Sequence, residues 1–185
     1  MITSKEELTE KALELFKKKG YENVSVQEIC DACKVTRGSF YHHFKDREDL
    51  IHQWFMAYSR KMSIEAEEEK AVSSREKIWL FLKRYAEGVS SLGSDLLYHT
   101  MIANTSSKEK GILTTGMEIK EGYDELVELI RTAQEKGDVS KQFSAEKIAR
   151  DYNCAITGMI LQWYLQEEGF DYLERTREIF DLMIR

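Results

Sequence analysis

The fold is decided by the stretch Ser25-Val-Gln-Glu-Ile-Cys-Asp-Ala-Cys-Lys-Val-Thr-Arg-Gly-Ser-Phe-Tyr-His-His-Phe44. This stretch predicts two short helices joined by a tight turn. Ser25 followed by Glu28 forms a capping box, which starts the first of these helices. Lys34 and Val35 supply the turn, and Thr36 is a favourable N-cap for the second helix. The spacing therefore predicts a compact helix-turn-helix unit.

The second predicted helix has two different faces. Phe40 and Phe44, four residues apart, give it an apolar back. Its other face carries hydrogen-bonding side chains and no acid, namely Arg37, Ser39, Tyr41, His42 and His43. Every charged residue from Lys34 to Lys45 is positive. A short helix with an apolar back and a cationic front suits the major groove of DNA, so the motif predicts DNA binding.

A longer pattern around this motif resembles a known family. The run Ile29-x-x-x-Cys33-x-Val35-Thr36-x-Gly38-x-Phe40-Tyr41-x-His43-Phe44-Lys45-x-Arg47-Glu48-x-Leu50 is similar to the DNA-binding domain of the TetR/AcrR family of bacterial transcriptional regulators. The resemblance covers roughly residues 2–62 at many fixed spacings. The chain departs from the usual pattern at four positions. Cys30 and Cys33 replace alanine, Lys34 replaces a frequent glycine, and Arg47 replaces lysine.

The resemblance implies which residues meet DNA. Tyr41 and His42 would contact phosphate or base edges, and His43 would help to hold the domain together. Arg37 is the candidate for a guanine edge. The complete set of predicted DNA-contacting residues is Ser25, Gln27, Lys34, Thr36, Arg37, Ser39, Tyr41, His42, Lys45 and Arg47. The implied partner is double-stranded DNA with an approximately palindromic operator.

The composition favours a soluble all-α protein. The 185 residues are 42% hydrophobic and 32% charged, with no proline and only 10 glycines, so the usual punctuation of strands and hairpins is missing. No apolar run approaches the ~20 residues of a membrane helix, and no signal peptide opens the chain. With an odd number of cysteines, three, these features predict a cytoplasmic protein.

The net charge of −6 is distributed unevenly. Residues 1–62 hold 11 Lys and Arg against 10 Asp and Glu, a net charge of +1, whereas residues 63–185 hold 16 against 23, a net charge of −7. Since phosphate affinity depends on local cations, the acidic total does not exclude DNA binding. The modest +1 favours two copies acting together.

Capping residues and periodicity predict about nine helices in two domains. Residues 1–45 would form a three-helix DNA-binding domain with the helix-turn-helix motif at 25–44. Residues 46–62 would form a linker helix shared by both domains and the only long element touching both. Residues 63–185 would form a larger helical domain for ligand binding and dimerisation. Its helices would start near Ser73, Asp95, Met117, Ser144 and Asp171, with a loop at 105–116.

The resemblance implies a ligand cavity in the second domain. Methionine and aromatic side chains suit an adaptable apolar pocket, although most of them must serve as ordinary core. Asn153 and Thr157 could orient a ligand or equally bond within a dimer interface. The candidate ligand-binding residues are Phe55, Tyr58, Met62, Trp79, Tyr85, Tyr98, Met101, Ile102, Tyr123, Asn153 and Thr157.

The two C-terminal helices predict a homodimer. The helix starting after Ser144 is apolar over more of its circumference than one intrachain contact requires, and the last helix adds another apolar stripe. Pairing both with their symmetry mates would give a four-helix bundle. The candidate interface residues are Tyr152, Ala155, Met159, Trp163, Ile179, Phe180 and Met183.

Other chemistry has weaker support in the sequence. Cys30 and Cys33 could suggest a metal or redox site, but no second ligand pair or βαβ setting accompanies them, so they are interpreted as small buried residues. No metal, cofactor or catalytic constellation is expected. The sequence thus predicts a transcriptional repressor released from its operator by a small apolar or amphipathic effector. The alternative is an all-helical enzyme or protein-interaction adaptor with a vestigial helix-turn-helix.

Overall fold

The computed structural model describes residues 4–54, 57, 73–106 and 120–185. Within these ranges the chain is all-α, as predicted, and contains no β-strand. No helix in the described part of the chain is long and apolar enough to cross a membrane.

Three helices form the N-terminal domain, and each begins at a residue that caps it. They are α1 (Lys5–Lys19), α2 (Val26–Cys33) and α3 (Arg37–His43), with a 3-10 turn at Tyr21–Asn23. Ser4 and Ser25 each form a complete capping box, and the Thr36 hydroxyl accepts from the Ser39 amide. All three caps satisfy amides that have no partner inside their helices.

The turn between α2 and α3 is closed by a residue in the left-handed conformation. Lys34 has a φ of 56°, where its side chain is disfavoured relative to glycine, and the Val35 amide donates to the Cys30 carbonyl at 3.0 Å. Behind the turn lie fully buried side chains, including Leu8, Ile29 and Phe40. This core fixes α3 with its polar face outward.

Helix α4 follows directly, and residues 47–54 of it are described as helical. Asp46 caps it by accepting from the Asp49 amide at 2.7 Å. Leu50 and Ile51 are fully buried against the N-terminal domain. Most of the remaining part of the predicted linker helix lies outside the described residues, and the division of the chain at 45 and 62 stays a prediction.

The second domain contains five described helices. They are α5 (Ser74–Leu92), α6 (Ser94–Ser106), α7 (Lys120–Lys136), α8 (Ala145–Leu165) and α9 (Tyr172–Met183). Ser73, Ser144 and Asp171 cap α5, α8 and α9 as predicted. Residues 105 and 106 belong to α6 rather than to a loop, while 107–116 and the predicted start of α7 at Met117 lie outside the described residues.

Packing in this domain is centred on α5 and α8. Helix α5 lies against α7 and α9, and α8 lies against α6, α7 and α9. The broad apolar surface of α8 is thus needed inside the protomer. Tyr152, Met159, Trp163 and Phe180 are at most 5% exposed. These four predicted interface residues are core residues here, which corrects their assignment; Ala155, Ile179 and Met183 are half-buried.

A second correction concerns the connection between the domains. Helix α4 is not the only long element that reaches the N-terminal domain, because α6 contacts both α1 and the 3-10 turn. The Tyr21 amide donates to Asp95 Oδ2 at 2.7 Å. Gly20 makes the turn into this contact with a φ of 80°. The periodicity of α6 could not reveal a partner 74 residues earlier.

Candidate nucleic-acid interface

The exposed side of α3 is a compact donor surface. Arg37 and Tyr41, one turn apart, are linked by a hydrogen bond from Arg37 Nη2 to the Tyr41 hydroxyl at 3.2 Å. The guanidinium carbon also lies 5.7 Å from the Tyr41 ring centroid. The hydrogen bond raises the pKa of Arg37, so its charge is constant. Tyr41 is 49% exposed, so its ring and hydroxyl are accessible to a partner molecule.

His42 and His43 differ in their surroundings. His42 is exposed, while His43 is half-buried and its carbonyl accepts from Gln53 Nε2 at 3.3 Å. Their rings stand at 71° to each other. Adjacent helical residues point in different directions, and here His42 is exposed with Tyr41 while His43 is turned partly inward. We define the α3 face as Arg37, Gly38, Tyr41 and His42.

Polar residues surround the α3 face. Lys34 and Lys45 are exposed at its two ends, and the Thr36 and Ser39 hydroxyls lie 3.1 Å apart at its start. Gln27, on α2, is exposed and donates to Asp31 Oδ1 at 2.7 Å. The Ser25 hydroxyl is engaged in capping α2. Lys34, Thr36, Ser39 and Lys45 thus lie next to the α3 face, whereas Ser25 and Gln27 belong to the beginning of α2.

Arg47 is a predicted DNA-contacting residue that the structure uses internally. Its Nη1 donates to the Tyr21 carbonyl at 2.9 Å and to the Val24 carbonyl at 2.6 Å. Its guanidinium carbon lies 4.4 Å from the Tyr21 ring centroid. Arg47 therefore ties α4 to the 3-10 turn. A lysine could not reproduce this arrangement, because it lacks the planar fork of donors.

Gly38 is a residue of this surface that sequence reasoning did not select. It is exposed near the start of α3 and has no positive φ. A methyl group added there would meet only the Thr36 hydroxyl, at 3.6 Å. Internal packing thus gives no reason for glycine, which costs helix stability relative to alanine. Because Gly38 has no side chain, another molecule can approach the helix backbone closely at this position. An exposed glycine in an unstrained helix is the sequence and structure signal that would have identified Gly38 as a candidate binding residue.

The predicted ligand-binding residues lie in several contacts, and three of them fall outside the described residues: Phe55, Tyr58 and Met62. Tyr98 on α6 stacks on Tyr164 of α8, with ring centroids 4.0 Å apart and planes within 3°. The Thr157 hydroxyl donates to the Asn153 carbonyl at 2.9 Å. The Tyr123 hydroxyl donates to the Glu146 carbonyl at 3.1 Å. The tyrosine stack and the Tyr123 hydrogen bond join α6 and α7 to α8, whereas the Thr157 hydrogen bond lies within α8.

The remaining candidates divide by burial. Tyr85 and Met101 are buried, whereas Ile102 is 43% exposed. Trp79 faces the other way, because its ring packs on Phe180 of α9 and under the Arg177 guanidinium. Trp79 therefore belongs to the α5–α9 contact rather than to the α6–α8 contact.

The cysteine pair has the surroundings of structural thiols. Cys30 is fully buried and Cys33 half-buried, and burial raises the pKa of both thiols. A raised pKa keeps a thiol protonated and unreactive. Among the described residues, no group of three or more His, Cys, Asp or Glu side chains is arranged to hold a metal ion.

Comparison with known proteins agrees with the interpretation of this surface as a DNA-binding one. Residues 4–53 match the family model described as bacterial regulatory proteins, tetR family. The "Probable acrEF/envCD operon repressor" of Escherichia coli (strain K12) is 23% identical over 194 residues, covering 100% of this chain and 86% of the relative. The matched family segment ends within α4, so it covers α1 to α3.

Solved structures share the fold over nearly the whole chain. The fatty acid degradation regulator FadR from Bacillus halodurans superimposes with a TM-score of 0.74 at 16% identity, covering 97% of this chain and 93% of the other. Thermus thermophilus FadR, a repressor solved in complex with lauroyl-CoA, gives a TM-score of 0.68 at 21% identity with the same coverage. Both similarities extend through the second domain.

Proposed function

Since the chain belongs to the TetR/AcrR family of bacterial transcriptional regulators, we propose that it is a sequence-specific DNA-binding repressor that a small effector releases from its operator. The observation that carries the proposal is the α3 face, an exposed cationic donor surface held outward by a buried apolar back. Arg37 has the geometry to donate to a guanine edge, and Lys45 and Tyr41 to phosphate.

The matched relatives are named as transcriptional regulators, and we propose no catalytic step. The experiment is selection of bound sequences from random double-stranded DNA, followed by affinity measurements on the selected site and on a scrambled one. We expect a recurrent, approximately palindromic site bound at least about 1,000-fold more tightly than scrambled DNA. Equal affinity for both would contradict sequence-specific recognition.

We further propose that the active form is a homodimer, and the exposed side of α8 supports this. With the larger aromatic residues inside, α8 still leaves Cys154, Gly158, Leu161 and Leu165 exposed, and we call these four residues the α8 stripe. Their spacing of four, three and four residues puts them on one side of the helix. Leu182 on α9 is another exposed leucine. Exposed leucines at this spacing are typical of a helix that pairs with another copy.

A two-fold axis along the α8 stripe would fix the distance between the two α3 faces. Recognition helices that enter successive major grooves lie roughly 34–36 Å apart, which requires a palindromic site. Sedimentation at micromolar concentration tests assembly without DNA. A monomer that still binds the selected site at full affinity would contradict the dimer while leaving DNA recognition intact.

The proposed effector is apolar or amphipathic and binds among α5 to α8. The buried Tyr85 and Met101 and the flat Tyr98–Tyr164 stack support an apolar site in this region. Thermus thermophilus FadR was solved with lauroyl-CoA, so acyl-CoA thioesters are the first compounds to test. We expect the matching compound to raise the melting temperature and to lower operator affinity, since ligand and DNA share one coupling free energy.

A bulky substitution tests the location of the effector site. Asn153→Trp would place a bulky ring on α8 one turn before Thr157, in the proposed effector region, so we expect loss of the effector response with operator binding retained. Thr132→Trp, on an exposed position of α7, is the matched control and should respond normally. If Asn153→Trp folds, binds DNA and still responds fully, the effector site lies elsewhere.

A further inference from the structure

Among the described residues, α6 contacts the N-terminal domain at α1 and at the 3-10 turn. We define the joint as Tyr21, Glu22, Asp95 and His99. Both the backbone and the side chain of Tyr21 make hydrogen bonds in the joint. Its amide donates to Asp95 of α6, its hydroxyl donates to Glu48 of α4, and its carbonyl accepts from Arg47. A movement of α6 therefore reaches the first turn of α4 through Tyr21.

His99 lies in the joint with a carboxylate at each ring nitrogen. Its Nδ1 is 3.1 Å from Glu22 Oε1, in the 3-10 turn, and its Nε2 is 3.4 Å from Asp95 Oδ1, on its own helix. The side chain is only 20% exposed. Aromatic rings from both domains contact it, those of Tyr21, Tyr98 and Tyr164. In the part of the chain that the structure describes, the two charged groups paired with the imidazole are both acidic.

This arrangement depends on the charge of the ring. A neutral imidazole carries one N–H, so only one of the two carboxylates can accept a hydrogen bond and the other faces a lone pair. An imidazolium donates from both nitrogens and separates two negative charges that would otherwise repel each other. Imidazole is also the side chain that ordinarily changes charge between pH 5 and 8.

We propose that His99 makes the joint a proton-sensitive latch between α6 and the DNA-binding domain. The latch is tight when His99 is protonated, because both Glu22 and Asp95 are then bridged, and loose when His99 is neutral. The consequence for transcription rests on the proposed function: proton concentration would set how fully a movement of α6 is passed to the α3 face. The latch itself is a property of the protein without DNA.

Hydrogen exchange at the Tyr21 amide tests the latch directly. That amide donates across the joint, so its protection reports closure, whereas the Val35 amide donates within the N-terminal domain and serves as an internal reference. After correction for intrinsic exchange rates, Tyr21 protection relative to Val35 should be about two- to fivefold higher at pH 5.5 than at pH 7.8, the range expected of a partly exposed ion pair.

Three variants complete the experiment. His99→Gln should abolish the pH dependence of Tyr21 protection. Glu22→Gln, a change at an exposed position that keeps an acceptor oxygen but removes the charge, should reduce it. Glu10→Gln, on the exposed side of α1, is the matched control and should leave it unchanged. Circular dichroism melts confirm that each variant is folded.

Two results would overturn the latch. One is a Tyr21 protection that follows Val35 in parallel between the two pH values. The other is a pH dependence of Tyr21 protection that persists at full size in folded His99→Gln. Since no DNA is present, either result is distinct from a failure of operator binding.

Discussion

Helices α3 and α8 both leave one side exposed, and the chemistry of the two exposed sides is opposite. The α3 face presents a guanidinium, a phenol and an imidazole around a glycine, whereas the α8 stripe presents two leucines with a small glycine and a cysteine. The α3 face matches a polyanion with hydrogen-bonding edges, and the α8 stripe matches another apolar helix. Burial alone does not distinguish the two exposed sides, but their composition separates the proposed DNA-binding side from the proposed self-association side.

The strongest way to break this comparison is to put charge on the α8 stripe. Leu161→Glu combined with Leu165→Glu should raise the dimer dissociation constant by at least about 100-fold, because each buried unpaired carboxylate costs several kcal/mol. Operator affinity should fall when the dimer dissociates, since a single DNA-binding domain contacts only half of a palindromic site. Analytical ultracentrifugation and operator titration measure the two effects.

Phe143→Glu is the matched control for that variant. Phe143 is 50% exposed but lies outside the α8 stripe, so the control removes exposed apolar surface without touching the proposed interface. It should remain dimeric. Monomers from Phe143→Glu alone would mean that the interface is elsewhere.

On the α3 face, Arg37 should have the largest effect. Arg37→Ala should lower operator affinity by about 1–3 kcal/mol and relax specificity at one base pair, because a bidentate contact to guanine is lost. Lys17→Ala, an exposed cation at the end of α1, is the control and should leave specificity intact. Repeating the selection from random DNA with both variants checks this; an unchanged selected site for Arg37→Ala would remove Arg37 from base recognition.

Arg47 and Lys45 sharpen the boundary of the DNA-binding surface. Arg47→Ala should lower the free energy of unfolding by about 2 kcal/mol, because two backbone carbonyls lose a charged donor. Lys45→Ala should leave stability unchanged and weaken binding to all sequences, with a smaller salt dependence. Denaturant titrations and affinities at two salt concentrations separate these outcomes. Equal loss of salt dependence in both variants would place Arg47 on phosphate after all.

The smallest expected effect belongs to Gly38. Gly38→Ala should lower operator affinity by about three- to tenfold while stability is unchanged or rises slightly, since alanine is the better helix former and has room within the protein. Thermal unfolding and operator titration on the same preparation give both values. A parallel loss of stability and affinity would assign the glycine to folding instead of to DNA approach.

Sequence reasoning succeeded where the governing contacts are local. The caps at Ser25, Thr36, Ser144 and Asp171 depend on a side chain and an amide three residues later, so the pattern contains both partners. The same holds for the polar and apolar sides of α3, which are short enough for one periodicity to define.

It failed where the partner is distant in the chain. The sequence pattern predicts that Arg47 contacts DNA, but in the structure its guanidinium donates to carbonyls 23 and 26 residues earlier. Local spacing gives no indication of partners that far away. On α8, apolar residues occupy so much of the circumference that periodicity could not tell the buried Tyr152 and Trp163 from the exposed Leu161 and Leu165. Only the packing of α6, α7 and α9 around that helix decides which residues remain for a partner.

The sequence distance across the joint also has a consequence for the order of folding. The helices α1 to α3 are defined by local caps and a core of nearby residues, and such low-contact-order units form quickly. The Tyr21 amide finds its acceptor 74 residues later, on α6. During synthesis, which proceeds at about 5–20 residues per second, the DNA-binding domain can fold several seconds before Asp95 exists. Its Tyr21 amide is hydrated in that interval, and closing the joint is among the last steps by which the protomer becomes one cooperative unit.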